Sequence, residues 1–288
     1  MTPGARGIAA PRGARRAPLR TPAPRPTGLR ATPPLATAAG YAVALVGVVG
    51  AVEREVDEIL RAEGLPIVRT DAAADGDGPS IFPDALARIQ RKLDEFRERL
   101  DRGEPHPLAA IETCAAQVDR HTEGQWKQQL ARLGVKLSDV RAPHLEHLRA
   151  LWQHRNLDLI KTLRLDVVDR VRAALDEHRG ARVETLARRI EEATGSSRSY
   201  ARFVARDQAL KLANQITQAR HQAAGVTEYV WRASRDERVR KRHKELDGTR
   251  QSYAHPPIVD ERTGRRAHPG DDYQCRCTAD PIIPGVDL

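Results

Sequence analysis

The chain has 288 residues, with 48 Lys and Arg against 39 Asp and Glu, and 30% of its residues are charged while only 4% are aromatic. That is the composition of a soluble, charged chain of one or two domains, and three cysteines fit an intracellular, reducing setting better than a disulfide framework. A net charge of +9 invites a nucleic-acid reading, but residues 1–52 hold seven arginines and no acidic residue, leaving about +2 for everything beyond. The basic character belongs to the tail and says little about the folded part.

Residues 1–40 alternate Pro, Ala, Arg, Thr and Gly without apolar periodicity and are expected to be disordered. An arginine-rich, acid-free start also has the composition of an organellar transit peptide; a plain unstructured extension is preferred. Residues 41–52 are apolar, yet a dozen residues are too few to span a bilayer as a helix. They run directly into Glu53, Arg54 and Glu55, so a helix with an apolar start, and no membrane span, is expected. Residues 71–79, rich in Ala, Asp and Gly, read as a linker. Pro83 then opens a helix to about Leu100, with Leu86, Ile89, Leu93, Phe96 and Leu100 at three- and four-residue steps. Another helix, over residues 108–133, carries Ile111, Cys114, Val118 and Trp126. Pro143 opens the longest periodic stretch, where Leu145, Leu148, Trp152, Leu159, Leu163, Val167, Val171 and Leu175 form one apolar stripe. That stripe needs a partner, either the neighbouring helices or a second subunit docking along residues 143–178. A short helix over residues 183–193 follows, and Thr194-Gly195-Ser196-Ser197 reads as a turn. This turn divides a helical region, residues 41–195, from a terminal domain, residues 196–288.

The terminal domain begins with a helix over residues 197–224, whose buried side is read as Tyr200, Phe203, Val204, Leu210, Ala213, Ile216 and Ala223. Residues 226–233 alternate as a strand half-buried through Tyr229 and Trp231, and residues 253–259 and 273–279 extend it into a small sheet. Ser234 and Glu237 stand in the capping-box relation, predicting a helix over residues 235–246 with Gly248 just past its end. Val239, His243 and Leu246 share its only apolar face, so His243 points inward. The fold class is therefore a mainly α N-terminal region followed by a small α+β C-terminal domain.

Cys275 and Cys277 alternate about Arg276 and lie on one side of an extended segment. His268 sits seven residues before Cys275, beside the turn signal Pro269-Gly270. With His243 these make a candidate four-ligand zinc set, His243, His268, Cys275 and Cys277, suited to a borderline-soft ion. The spacing is not that of a standard finger, and the alternative is that the cysteines are small core residues and His243 a satisfied core histidine. A disulfide between near neighbours on one strand has poor geometry for closure.

The runs Y-V-W-R-A-S-R-D-E-R-V-R, H-K-E-L-D-G, P-P-I and H-P-G-D-D-Y-Q-C-R-C, preceded by A-R-F-V-A-R-D-Q-A-L-K-L-A-N-Q-I-T-Q-A-R and A-G-V, resemble the conserved domain of phage Mu F-like minor head proteins. The likeness covers residues 196–285, with a weaker helical likeness back to about residue 140. It implies a non-enzymatic structural protein of the virion or prohead, assembled in the host cytoplasm. The partners it implies are portal, capsid or scaffold proteins, and packaged DNA. It also points to a polar node at Arg206, Asp207 and Gln208, where many relatives carry Arg-Thr-Glu, joined by Trp231, Asp236, Asp247 and Asp272. One structural zinc would staple so small a unit.

Two other classes of function remain open. A metal-dependent hydrolase would use His243, Asp247, His268 and Asp271 or Asp272 around an open zinc position. A nucleic-acid binder would use Arg235, Arg238, Arg240, Lys241, Arg242 and Lys244 against phosphates, although Asp236, Glu237 and Glu245 partly offset that run. The sequence carries no phosphate loop, nucleophile elbow or dinucleotide fingerprint, and the head-protein reading is preferred.

Overall fold

The computed structural model describes residues 30–65, 83–103, 107–132, 142 and 144–283. The expected linker at residues 71–79 and most of the expected tail lie outside them. Five helices come first: α1 Leu35–Ala62, α2 Pro83–Asp101, α3 Leu108–Arg132, α4 Leu145–Glu177 and α5 Val183–Ala223. Residues 35–40, assigned to the tail from composition, are the first turns of α1. Its full 28 residues make it long and apolar enough to cross a membrane, which the twelve apolar residues 41–52 alone are not. What it does here is pack. Tyr41, Leu45, Val49, Val52, Val56 and Leu60 recur at three or four residues and are buried against α5, α3 and α4, the i, i+3, i+4 stripe of a helix facing a core.

The α4 stripe finds its partner inside the chain. Trp152, Ile160, Leu163, Val167, Val171 and Leu175 are buried and join the core formed with α1, α2, α3 and α5. The apolar argument for a second subunit along residues 143–178 is thereby removed. Between α2 and α4, the ion pairs Arg97–Asp169 at 2.7 Å, Arg172–Asp94 at 2.7 Å and Lys161–Asp101 at 2.9 Å lie on the surface, where each contributes at most about 1 kcal/mol.

Helix α5 runs without interruption through the turn expected at residues 194–197. Thr194 Oγ1 donates back to the Ile190 carbonyl at 3.1 Å and Ser196 Oγ to that of Ala193 at 3.1 Å, so these hydroxyls are satisfied without leaving the helix. Of the expected buried side, Val204, Leu210, Ala213 and Ile216 are buried, joined by Ala201, Ala205, Ala209 and Leu212, whereas Tyr200, Phe203 and Ala223 are exposed, the two aromatic rings stacking on each other.

Beyond α5 come β1 Glu228–Arg232, α6 Lys241–Leu246, β2 Arg250–Ser252, β3 Ile258–Asp260, β4 Arg265–Arg266 and β5 Thr278–Ile282. An antiparallel sheet of order β2-β1-β5 aligns Tyr229 with Gln251 and Pro281, while β3 and β4 pair separately. Strand β1 is covered on both faces: Val230 and Arg232 are buried along with Tyr229 and Trp231. The second core holds Val226, Tyr229, Trp231, Leu246, Tyr253, Val259 and the two cysteines, together with Trp126 and Leu130 from α3. Residues 30 and 31 reach the same unit, Arg30 donating to the Ala233 carbonyl and Ala31 accepting from Thr278 Oγ1 at 3.2 Å.

The predicted helix over residues 235–246 is shortened to its last six residues. Arg235 adopts a positive φ of 57°, and Asp236 Oδ1 accepts from the Arg238 N–H at 3.0 Å while its carboxylate pairs with Arg276 at 2.5 Å. An Asx turn plus a long-range ion pair displaces the capping box.

Candidate metal centre

The short α6 keeps the apolar face that the spacing requires, with His243 and Leu246 buried and Val239 packed against the second core. His243 therefore points into the unit. Residues 275–277 lead into β5 and bring both thiols to it: His243 Nδ1 lies 3.5 Å from Cys275 Sγ and 3.6 Å from Cys277 Sγ. All three side chains are buried. Among the described residues, these three donors lie within 4.8 Å of one another.

His268 is not among them. Its Nδ1 is 3.0 Å from the Tyr229 hydroxyl, and its ring packs on Tyr229 and Tyr253. The group at the histidine is Asp272, whose Oδ2 lies 3.2 Å from His243 Nε2, on the side of the ring away from the thiols. Asp272 is almost wholly buried and is held by Arg265 at 2.6 Å, Arg240 at 3.3 Å and the Tyr273 N–H at 2.7 Å. Sequence reasoning marked Asp272 as a structural position but not as the partner of His243. Its place three residues before Cys275 was the available signal.

Helix α5 fixes the loop that carries the thiols. Asp207 Oδ1 accepts the Gln274 N–H at 2.7 Å, and Gln274 Nε2 donates to the Phe203 carbonyl at 2.6 Å. These bonds hold Gln274 at a positive φ of 53°, an uncommon conformation for a residue with a Cβ. Four residues earlier Gly270 has φ 86°, and a Cβ there would stand 1.7 Å from Asn214 Nδ2 on α5. Only glycine fits, and its N–H donates to Cys275 Sγ at 3.4 Å. Near Cys277 the buried Trp231 ring meets His243 edge-on at 5.4 Å. Its Nε1–H is buried without a hydrogen-bond partner.

Charge in the cluster follows from these contacts. Burial disfavours the His243 imidazolium, but Asp272 and Cys275 outweigh it and raise the pKa to about 9. Burial also works against the Asp272 carboxylate, which His243, Arg265 and Arg240 nevertheless hold well below the usual range. The hydrogen bond with Cys277 brings the Cys275 thiol down to about 5, while the same bond and burial push Cys277 up. The titration of the two thiols belongs to the pair. Burial raises neighbouring Asp271 to about 6.

The remaining predicted residues are dispersed. Gln208 accepts from Trp152 Nε1 at 3.1 Å through its carbonyl. Burial and the nearby Arg276 and Arg238 cations depress the pKa of Arg206. Asp247 accepts the Ala233 N–H at 2.9 Å and pairs with Arg235 at 2.9 Å. Of the six cations offered to nucleic acid, Arg235, Arg240 and Arg242 are engaged with carboxylates of this unit, and only residues 241–246 of that stretch are helical.

No solved structure matches this chain. A protein of Haemophilus influenzae strain Rd, described as an uncharacterized protein, is 40% identical over 130 residues, covering 44% of this chain. The match spans only 28% of that relative's length. Residues 166–280 match the family model described as Phage Mu protein F like protein. Over that stretch, from the latter part of α4 to the third residue of β5, the chain is similar to the phage Mu protein F-like family.

Proposed function

We propose that the chain is a structural, non-enzymatic minor head component of a phage or prophage, acting in head morphogenesis beside the portal or capsid. The family match over residues 166–280 carries this reading, because it takes in α5, the sheet up to the third residue of β5 and the whole His243–Cys275–Cys277 cluster. Portal, capsid or scaffold proteins are the partners in this reading, and the virion or prohead is its location. The hydrolase reading has less support. Of the residues it needs, Asp247 is spent on Ala233 and Arg235, His268 on Tyr229, and Asp272 on the outer nitrogen of His243. Direct DNA binding through residues 235–244 loses the cations already paired within the unit.

Mass spectrometry of purified particles and of proheads from the producing strain is the test. Recovery of this chain at constant stoichiometry in either is expected. Absence from both would overturn the reading.

A further inference from the structure

We propose that His243 Nδ1, Cys275 Sγ and Cys277 Sγ bind one zinc ion, with Asp272 as the outer partner of the histidine and His268 outside the site. The geometry is that of a tetrahedral ion's edges. Bonds of about 2.3 Å to sulfur and 2.0–2.1 Å to nitrogen place the donors about 3.5 Å apart in a tetrahedron, and the two N···S separations here are 3.5 and 3.6 Å. Three donors from two separate segments, α6 and the lead into β5, converge at that spacing inside a buried core.

The surroundings are those of a metal ligand set. A ligating imidazole ordinarily presents its other nitrogen to a carboxylate, which fixes the ring and raises its basicity. His243 does so toward Asp272, whose other contacts are two arginines and a backbone N–H. The Cys275 sulfur also receives the Gly270 N–H at 3.4 Å. Donors aimed at sulfur favour thiolate, the ligating form. Thiolate with imidazole selects a borderline-soft ion, and zinc suits the mixed tetrahedral set. Among the described residues no fourth side chain joins the three, so the fourth position falls to a water molecule. The ion would tie α6 to β5 in a unit whose small sheet has few long strands.

The full chain, purified under reducing conditions, should contain one zinc by elemental mass spectrometry. Exchange for cobalt should give thiolate-to-cobalt charge-transfer absorption with the visible-band intensity of a four-coordinate ion. Cys275→Ser and Cys277→Ser should each abolish that absorption. His268→Ala should keep it at full strength, and Asp272→Asn should keep it with affinity weaker by about 10- to 100-fold.

Should the cysteine variants fail to fold, the wild-type chain answers by itself. Chelation should expose two thiols to a disulfide reagent in step with metal loss, while Cys114, buried in the helical core, stays unreactive. Absence of both zinc and the cobalt absorption in the wild-type chain would overturn the proposal. Loss of metal in His268→Ala with retention in Cys277→Ser would overturn the ligand set.

Discussion

The helical bundle and the terminal unit are held together by different physics. The bundle core is largely aliphatic, with Leu45, Val56, Ile89, Leu93, Val167 and Ile190 among its buried members; its α2–α4 ion pairs sit on the surface, and its buried polar contacts include Tyr41 with Asn156 and Arg220 with Asp119. The terminal unit buries Arg232 against Asp280, His243 against Asp272, and His221 beside Tyr253. Apolar burial is non-directional and spreads stability over many residues. Buried polar pairs concentrate it, because removing one member strands the other in a medium that cannot solvate it. Away from those two contacts, the bundle should tolerate single changes that the unit does not.

Asp280→Ala should have the largest effect. It leaves the Arg232 guanidinium, now 2.5 Å from that carboxylate, buried without its counter-charge, a loss of about 3–5 kcal/mol. Urea unfolding followed through Trp231, which lies in the same strand as Arg232, measures it. Replacing both partners with apolar residues, Arg232→Met with Asp280→Leu, should recover most of the loss. A single substitution no more harmful than Ile160→Val in the bundle, about 0.5–1.5 kcal/mol, would erase the contrast.

Acid should separate the regions next. Burial, with a contribution from Arg220, lowers the His221 pKa from 6.5 to about 3, so the folded unit keeps this ring neutral. Below pH 6.5 the unfolded chain takes up a proton that the folded chain refuses, and stability falls as pH drops toward the folded value. By pH 4 the group contributes a loss on the order of 3 kcal/mol. His221→Gln should flatten the pH dependence between 6.5 and 4 relative to the wild-type chain, measured as the denaturation midpoint at each pH. An unchanged slope would mean that His221 is not buried neutral.

Gly270→Ala comes third. A methyl group would meet Asn214 Nδ2 at 1.7 Å and Cβ at 2.8 Å, at a φ of 86°, and strain of this kind costs about 1–3 kcal/mol. Asn214→Ala should relieve only part of it, since the Asn214 Cβ and the backbone angle remain. Thermal unfolding of the single and double variants would show this. Full recovery in the double variant would place all the strain in the Asn214 amide.

The bundle was legible in the sequence because apolar spacing is what packs it: the periodicity over residues 83–100 is the buried apolar set of α2, and that over 145–175 finds Trp152, Leu163, Val167, Val171 and Leu175 of α4, with Leu145, Leu148 and Leu159 half-buried. It failed where one local signal spoke alone. Thr194-Gly195-Ser196-Ser197 reads as a turn, but hydroxyls bonded to preceding carbonyls let α5 continue. Ser234 and Glu237 read as a capping box, but Asp236 gains more from Arg276 and its own turn. The inward direction of His243 was legible because its neighbours leave one apolar face. The partners around it were not, since Asp272 and Asp207 act across distances in sequence that no spacing rule covers. His268 beside a turn looked like a ligand; the hydroxyl that occupies it comes from β1.

The smallest effect would be the most informative about how the two regions are joined. Asp207 lies on α5, the helix that both regions share, and bonds the Gln274 N–H at 2.7 Å and Lys211 Nζ at 2.6 Å. Asp207→Asn keeps an oxygen for the first bond and loses the charge, so a loss of about 1 kcal/mol is expected. Hydrogen exchange should show faster amides at residues 273–277, where Gln274 would no longer be held as firmly at its positive φ, with α1 and α4 unchanged. Faster exchange in α1 and α4 as well would mean that α5 transmits the disturbance along its length. The two regions would then be one cooperative unit despite their different interiors.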